Sequence, residues 1–135
     1  MQTRLLDYGE ITANRFVLGA TVRAADYLAA LRVRRELTDA VNAVLRTYDA
    51  LLCLSALNTA PRFDDPVDTL SSGAPMQTIP FNVTGHPAMS VPVGLGSDGL
   101  PVGVQIVGRA FDEATVFRVG RAVEVLSGWE GVPLP

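Results

Sequence analysis

The stretch Asn82–Gly108, NVTGHPAMSVPVGLGSDGLPVGVQIVG, decides the fold of this chain. Its apolar segments Ala88–Leu95 and Val102–Val107 flank GSDGLP, with Asp98-Gly99 at the centre. Gly accepts the positive φ that tight hairpin turns require, so the stretch reads as a β-hairpin. It carries more Pro and Gly than a hairpin needs. Each Pro removes a ladder donor and each Gly gives up side-chain packing. Pro92 is therefore expected at a sheet edge or at a non-paired position. The glycines fit a sheet on which neighbouring backbones approach closely.

Working outward, Val22, Ala25, Ala29, Val33, Leu37, Val41, Val44 and Tyr48 recur at steps of three or four. That spacing predicts one long helix over about Thr21–Tyr48 with these residues on its inward face. LGAT, just upstream, supplies its start, and Arg32, Arg34, Arg35, Glu36 and Asp39 fill a wet face. YDALLCLSAL then reads as a short buried strand. NTAPRFDDPVDTLSSGAP, residues 58–75, is a loop long enough to carry function. After the hairpin, FDEATVFRVGRAVEVLSG predicts a final helix. Asp112 is its N-cap, Phe111 and Val116 a hydrophobic staple, and Gly128 its stop. Val116, Val119, Gly120, Val123 and Leu126 are its inward stripe. Helix, strand, loop, hairpin, helix is the order of an α/β protein.

Composition narrows the function classes. With 48% hydrophobic and 19% charged residues in 135, the chain is one domain or part of one, able to bury a core. A net charge of -3 disfavours nucleic acid, and no apolar run reaches the roughly 20 residues of a membrane span. The N-terminus MQTRLLDYGE lacks an apolar signal core, and the single cysteine, Cys53, allows no internal disulfide. A cytoplasmic location is expected. All eleven basic residues are arginine, and His86 is the only histidine. A lysine base, or a metal held by two imidazoles, cannot be assembled from these residues.

From Asn82 to Glu124 the chain resembles the C-terminal part of the amidase signature family, hydrolases of amide and related C–N bonds. The matching residues are Asn82, Gly85-x-Pro87-Ala88, Ser90-Val91-Pro92, Gly94, Gly99-Leu100-Pro101-x-Gly103-x-Gln105, Gly108 and Glu113. AADYLAALRVRREL and YDALL extend the likeness back to about Leu18. The resemblance implies the C-terminal region of that family's mixed-sheet fold: long helix, buried strand, β-hairpin and final helix. It implies a single partial domain over 1–135, with a lead-in at 1–17 and a pocket-side loop at 61–80. It also implies a serine nucleophile and a bridging serine on a Gly-Gly-Ser-Ser-Gly-Gly-type loop, with a lysine base many residues before that loop. LSSGAP at Leu70–Pro75 lacks the flanking glycines, so Ser71 and Ser72 read as ordinary loop serines. No catalytic residue, metal ligand or cofactor is assigned to this chain.

Several positions depart from the family or have plainer readings. Leu54 stands where relatives carry Pro. Pro75 stands where the tRNA-dependent amidotransferase branch has an acidic residue, three positions before Thr78-Ile79-Pro80. Without a carboxylate to hold an ammonium group, a simpler amide or a urea-like compound fits better than glutamine. His86, where Leu is commoner, reads as a packed histidine, Cys53 as a small core residue, and Asp64 and Asp65 as solvated. Gln77, Thr78 and Phe81 are the residues expected to face substrate.

Two function classes follow. In the first, the chain supplies scaffold and pocket wall to an amidase whose missing N-terminal catalytic portion is its partner, and is inactive alone. In the second, it is a stand-alone, non-enzymatic remnant acting through self-association or partner binding, because exposed apolar surface drives oligomerisation. A homo-oligomer is expected either way.

Overall fold

The computed structural model describes residues 4, 7–62 and 76–129. It is an α/β chain in two compact units, Met1–Glu36 and Leu37–Pro135.

The first unit holds helix α1, Glu10–Thr21, and the opening turns of helix α2, Ala24–Leu45. Helix α1 was not anticipated from the sequence. LGAT closes it instead of starting the long helix: Thr21 Oγ1 donates to the Leu18 carbonyl at 2.8 Å, and Val22 turns extended. The long helix restarts at Ala24, where Arg23 forks onto Asp26 at 2.7 and 2.9 Å. α1 has no buried residue, and α2 buries only Leu45, at 1% exposure. The expected inward stripe is therefore corrected: Val22, Val33, Leu37, Val44 and Tyr48 are all exposed. Periodicity finds an apolar face but does not say whether anything covers it.

In the second unit, strands β1 (Ala50–Leu54), β2 (Ala88–Leu95) and β3 (Pro101–Gly108) form an antiparallel sheet in the order β1-β3-β2. Helix α3, Ile79–Thr84, begins within the span read as pocket-side loop, of which residues 63–75 lie outside the described residues. Helix α4, Glu113–Ser127, follows the hairpin. Pro92 lies on edge strand β2 opposite Gly103, just before a register shift at Gly94. The Gly103 carbonyl accepts from Ser55 N–H at 3.0 Å on the other side. Pro92 therefore occupies a non-hydrogen-bonded pair and forfeits no ladder bond.

The sheet has two distinct faces, because side chains alternate along each strand. On one face Val91 and Ile106 pack with Val116 of α4, and Met89, Val119, Val123 and Ala50 close around them. Each such buried side chain contributes roughly 1.5–3 kcal/mol. Gly108 brings α4 this close: a Cβ there would lie 2.5 Å from Val116 Cγ2 and 3.3 Å from the Asp112 carbonyl. Asp112 caps α4, accepting from Thr115 N–H at 3.2 Å, and Gly128 ends it at φ 62°.

Three expectations on this face are corrected. Phe111 takes a left-handed φ of 62°, which turns its ring out to 94% exposure, so no staple forms with Val116. Leu126, in the last turn of α4, is 86% exposed. β1 is an edge strand with Leu52 and Leu54 exposed, since α4 lies mainly over β2 and β3. Its apolar run suits a strand covered on both faces, and here one face stays open.

Candidate functional site

The sheet face opposite α4 carries the candidate site. Gly103, Gln105 and Val107 point there from β3, Ser90 from β2 and Cys53 from β1, with Ser55 just beyond. A groove of about 400 Å³ opens over Gly103, with Ser55, Asn58, Thr59, Met76 and Ser90 among its walls. Among the described residues, none of those lining it is ionisable.

On the groove floor, Ser55 Oγ and Ser90 Oγ share a hydrogen bond at 2.5 Å across the middle strand. Gly103 makes that bond possible. A Cβ at Gly103 would fall 2.9 Å from Ser90 Oγ and 3.1 Å from Ser55 Oγ. Of the two hydroxyl protons, one is consumed in the pair, leaving one donor and the remaining lone pairs for a ligand. The floor thus offers a neutral, two-way polar anchor between apolar walls.

The back of the groove is tied together by Gln105, which is 3% exposed. Its Nε2 donates to the Gln77 carbonyl and to Cys53 Sγ, each at 3.2 Å. Met76, next to Gln77, forms an isolated β-bridge with Ala56 and lines the groove. Thr59 donates its hydroxyl to Asp98 at the hairpin turn, and Asp98 also accepts from Leu100 N–H at 3.1 Å. These bonds, the hydroxyl's foremost, hold the Asp98 carboxyl below its ordinary range.

Of the residues expected to face substrate, Gln77, Thr78 and Phe81 are all partly exposed. Gln77 sits behind the groove wall, Thr78 precedes the first turn of α3, and the Phe81 carbonyl accepts from Gly85 N–H at 2.8 Å. None of the three lines the groove itself, whereas their neighbour Met76 does. Ser71, Ser72, Asp64, Asp65 and Pro75 lie outside the described residues. Ser55, Ser90 and Gly103 were not singled out as a site from the sequence. Alternation along the hairpin places Ser90, Gly103 and Gln105 on one face, but the pairing of β1 with β3 is needed to add Ser55.

His86 is a packed residue, 7% exposed, behind the sheet's edge. Nε2 meets Asn42 Oδ1 at 3.2 Å and Nδ1 meets Thr84 Oγ1 at 2.9 Å. An amide oxygen only accepts, so Nε2 carries the proton and Nδ1 accepts from the threonine hydroxyl. Burial lowers its pKa and keeps the ring neutral. Cys53 is half-buried and serves as an acceptor for Gln105. Among the described residues no cluster of His, Cys, Asp or Glu has the geometry of a metal site, and no helix is long and apolar enough to cross a membrane.

The Amidase family model matches residues 2–117. A glutamyl-tRNA(Gln) amidotransferase subunit of Thermotoga maritima is 42% identical over 130 residues, covering 92% of this chain and 27% of that protein. Fatty acid amide hydrolase of Medicago truncatula is 38% identical over 126 residues, covering 87% of this chain and 20% of that protein. The crystal structure of the Thermotoga maritima protein superposes with a TM-score of 0.71 at 41% identity, over 84% of this chain and 25% of that one. A 6-aminohexanoate cyclic dimer hydrolase superposes with a TM-score of 0.74 at 27% identity, over 91% and 29%. The chain thus spans between a fifth and three tenths of the length of these relatives.

Proposed function

This chain belongs to the amidase family, and we propose that it serves as the C-terminal scaffold and pocket wall of an amide-bond hydrolase. The nucleophilic serine, its bridging serine and the lysine base come from a catalytic portion outside these residues. One observation carries the reading: the hairpin motif is complete under a formed groove, in a sequence without any lysine. A hydroxyl attacking an amide needs a base to take its proton. Here the hydroxyls on the groove floor, Ser55 and Ser90, bond to each other rather than to a base among the described residues.

The substrate is a simple neutral amide or a urea-like compound. An ammonium or carboxylate in the groove would meet no counter-charge from the described residues that line it, and desolvating an unpaired charge is costly. Pro75, in place of an acidic residue, agrees. The 42% identity to an amidotransferase favours glutamine instead, so glutamine belongs in the assay. The location is the cytoplasm, in keeping with a lone cysteine and the absence among described residues of a membrane-spanning helix.

The test has two arms. The purified chain, offered simple amides, ureas and glutamine, gives no turnover above background. A chimera in which it replaces the matching segment of the Thermotoga maritima protein hydrolyses simple amides in preference to glutamine. Turnover by the chain alone that Ser71→Ala or Ser72→Ala abolishes would overturn the proposal.

A second reading, self-association without catalysis, is favoured by the exposed Leu52, Leu54, Phe117 and Leu126. A homo-oligomer follows from either reading wherever the catalytic portion is missing. Concentration-dependent sedimentation of the chain measures it.

A further inference from the structure

We propose that Gln105 is a positioning residue for the groove, holding the segment from Met76 to Thr78 so that Met76 stays in place as part of the wall. The side chain is buried, and its Nε2 offers two hydrogens to two acceptors at 3.2 Å, the Gln77 carbonyl and Cys53 Sγ. A single amide thereby joins three separate pieces of chain: β1, β3 and the lead-in to α3. The burial of Gln105 gives these contacts weight, because a buried amide N–H that loses its acceptors keeps its desolvation penalty. No apolar residue of similar volume at this position can supply an N–H.

Of the segment's other ties, the bond from Asn82 N–H to the Thr78 carbonyl, at 3.1 Å, stays within the first turn of α3. The Ala56–Met76 bridge fixes one end, and the bond from Ile79 N–H to the Met76 carbonyl is long at 3.4 Å. Without the Gln105 amide, Met76 loses its backing, and Gln77 and Thr78 lose a fixed position. The functional half of this inference rests on the groove being the substrate side, as proposed above. The structural half does not.

Amide hydrogen exchange on the 135-residue chain tests the structural half. In Gln105→Met, the Ile79 and Asn82 amides are expected to exchange at least about tenfold faster relative to those of Val104 and Ile106. Val116→Ala, which weakens the core on the opposite face, accelerates both sets together. Gln105→Glu keeps the volume but replaces the N–H donor, and it is read the same way should Gln105→Met not fold. A Gln105 variant that accelerates both sets equally, or neither, overturns the proposal. In the active chimera, Gln105→Met raises KM at least about fivefold while kcat stays within about twofold, and a loss in kcat alone overturns positioning of substrate. An inactive wild-type chimera counts against the proposed function only, and the exchange ratio then decides the role of Gln105.

Discussion

Replacing Gly108 by alanine measures how closely α4 must approach the sheet. The backbone at Gly108 is not in the left-handed region, so alanine can adopt its conformation. The added Cβ would stand 2.5 Å from Val116 Cγ2 and 3.3 Å from the Asp112 carbonyl. The first neighbour is a β-branched side chain with one favoured helical rotamer, and the second is backbone, so neither yields without moving the helix. Overpacking of this kind costs about 1–3 kcal/mol, against about 0.4–1 kcal/mol gained by restricting the unfolded chain. Gly108→Ala should therefore lose roughly 1–2 kcal/mol in urea unfolding followed by circular dichroism. Gly94→Ala is the control: nothing lies within 4 Å of its Cβ position, so stability should hold or rise slightly. Val116→Ala alone opens a cavity, yet combined with Gly108→Ala it removes the clash, and the pair should couple favourably by about 1 kcal/mol. A Gly108→Ala chain as stable as the parent, or a pair whose effects simply add, would refute the contact.

Other predictions follow from the same geometry. Because burial lowers the His86 pKa, the unfolded chain takes up the proton first on acidification; stability should fall as pH drops below about 6.5 and level off beneath the folded-state pKa, and His86→Leu should flatten this slope in urea midpoints. Gly103→Ala should break the Ser55–Ser90 hydroxyl pair at a cost of about 0.5–1.5 kcal/mol, and adding Ser90→Ala should relieve the clash, both read by urea unfolding. Arg109→Met removes bonds to the Leu45 carbonyl at 2.8 Å, the Tyr48 carbonyl at 3.2 Å and Asp49 at 3.0 Å, and should cost about 1–2 kcal/mol in the same assay. Leu52→Lys with Leu54→Lys should leave stability within about 0.5 kcal/mol while reducing concentration-dependent sedimentation.

Local chemistry made part of the fold legible. Asp98-Gly99 announces the hairpin turn, Asp112 the start of α4 and Gly128 its end, because each acts through bonds to residues a few positions away. What failed depends on neighbours that one sequence does not name. The stripe on α2 and the residues Leu52, Leu54 and Leu126 are apolar as though covered, and here they face outward. Phe111 failed for a different reason: the turn ahead of α4 forces its φ positive and swings the ring away. In the site, the hairpin motif drew attention to Ser90, Gly103 and Gln105. Ser55 escaped because its partnership with Ser90 crosses the middle strand and spans 35 positions in sequence.

The clasp made by Arg109 also sets a schedule. Its bond to the end of α2 spans 64 positions, so the Leu45 carbonyl goes without this donor until the second hairpin strand has been synthesised. At roughly 5–20 residues per second, the helix terminus leaves the ribosome about 3–13 s before its clasp. During that interval its exposed carbonyls are open to water, chaperones and whatever polypeptide is nearest.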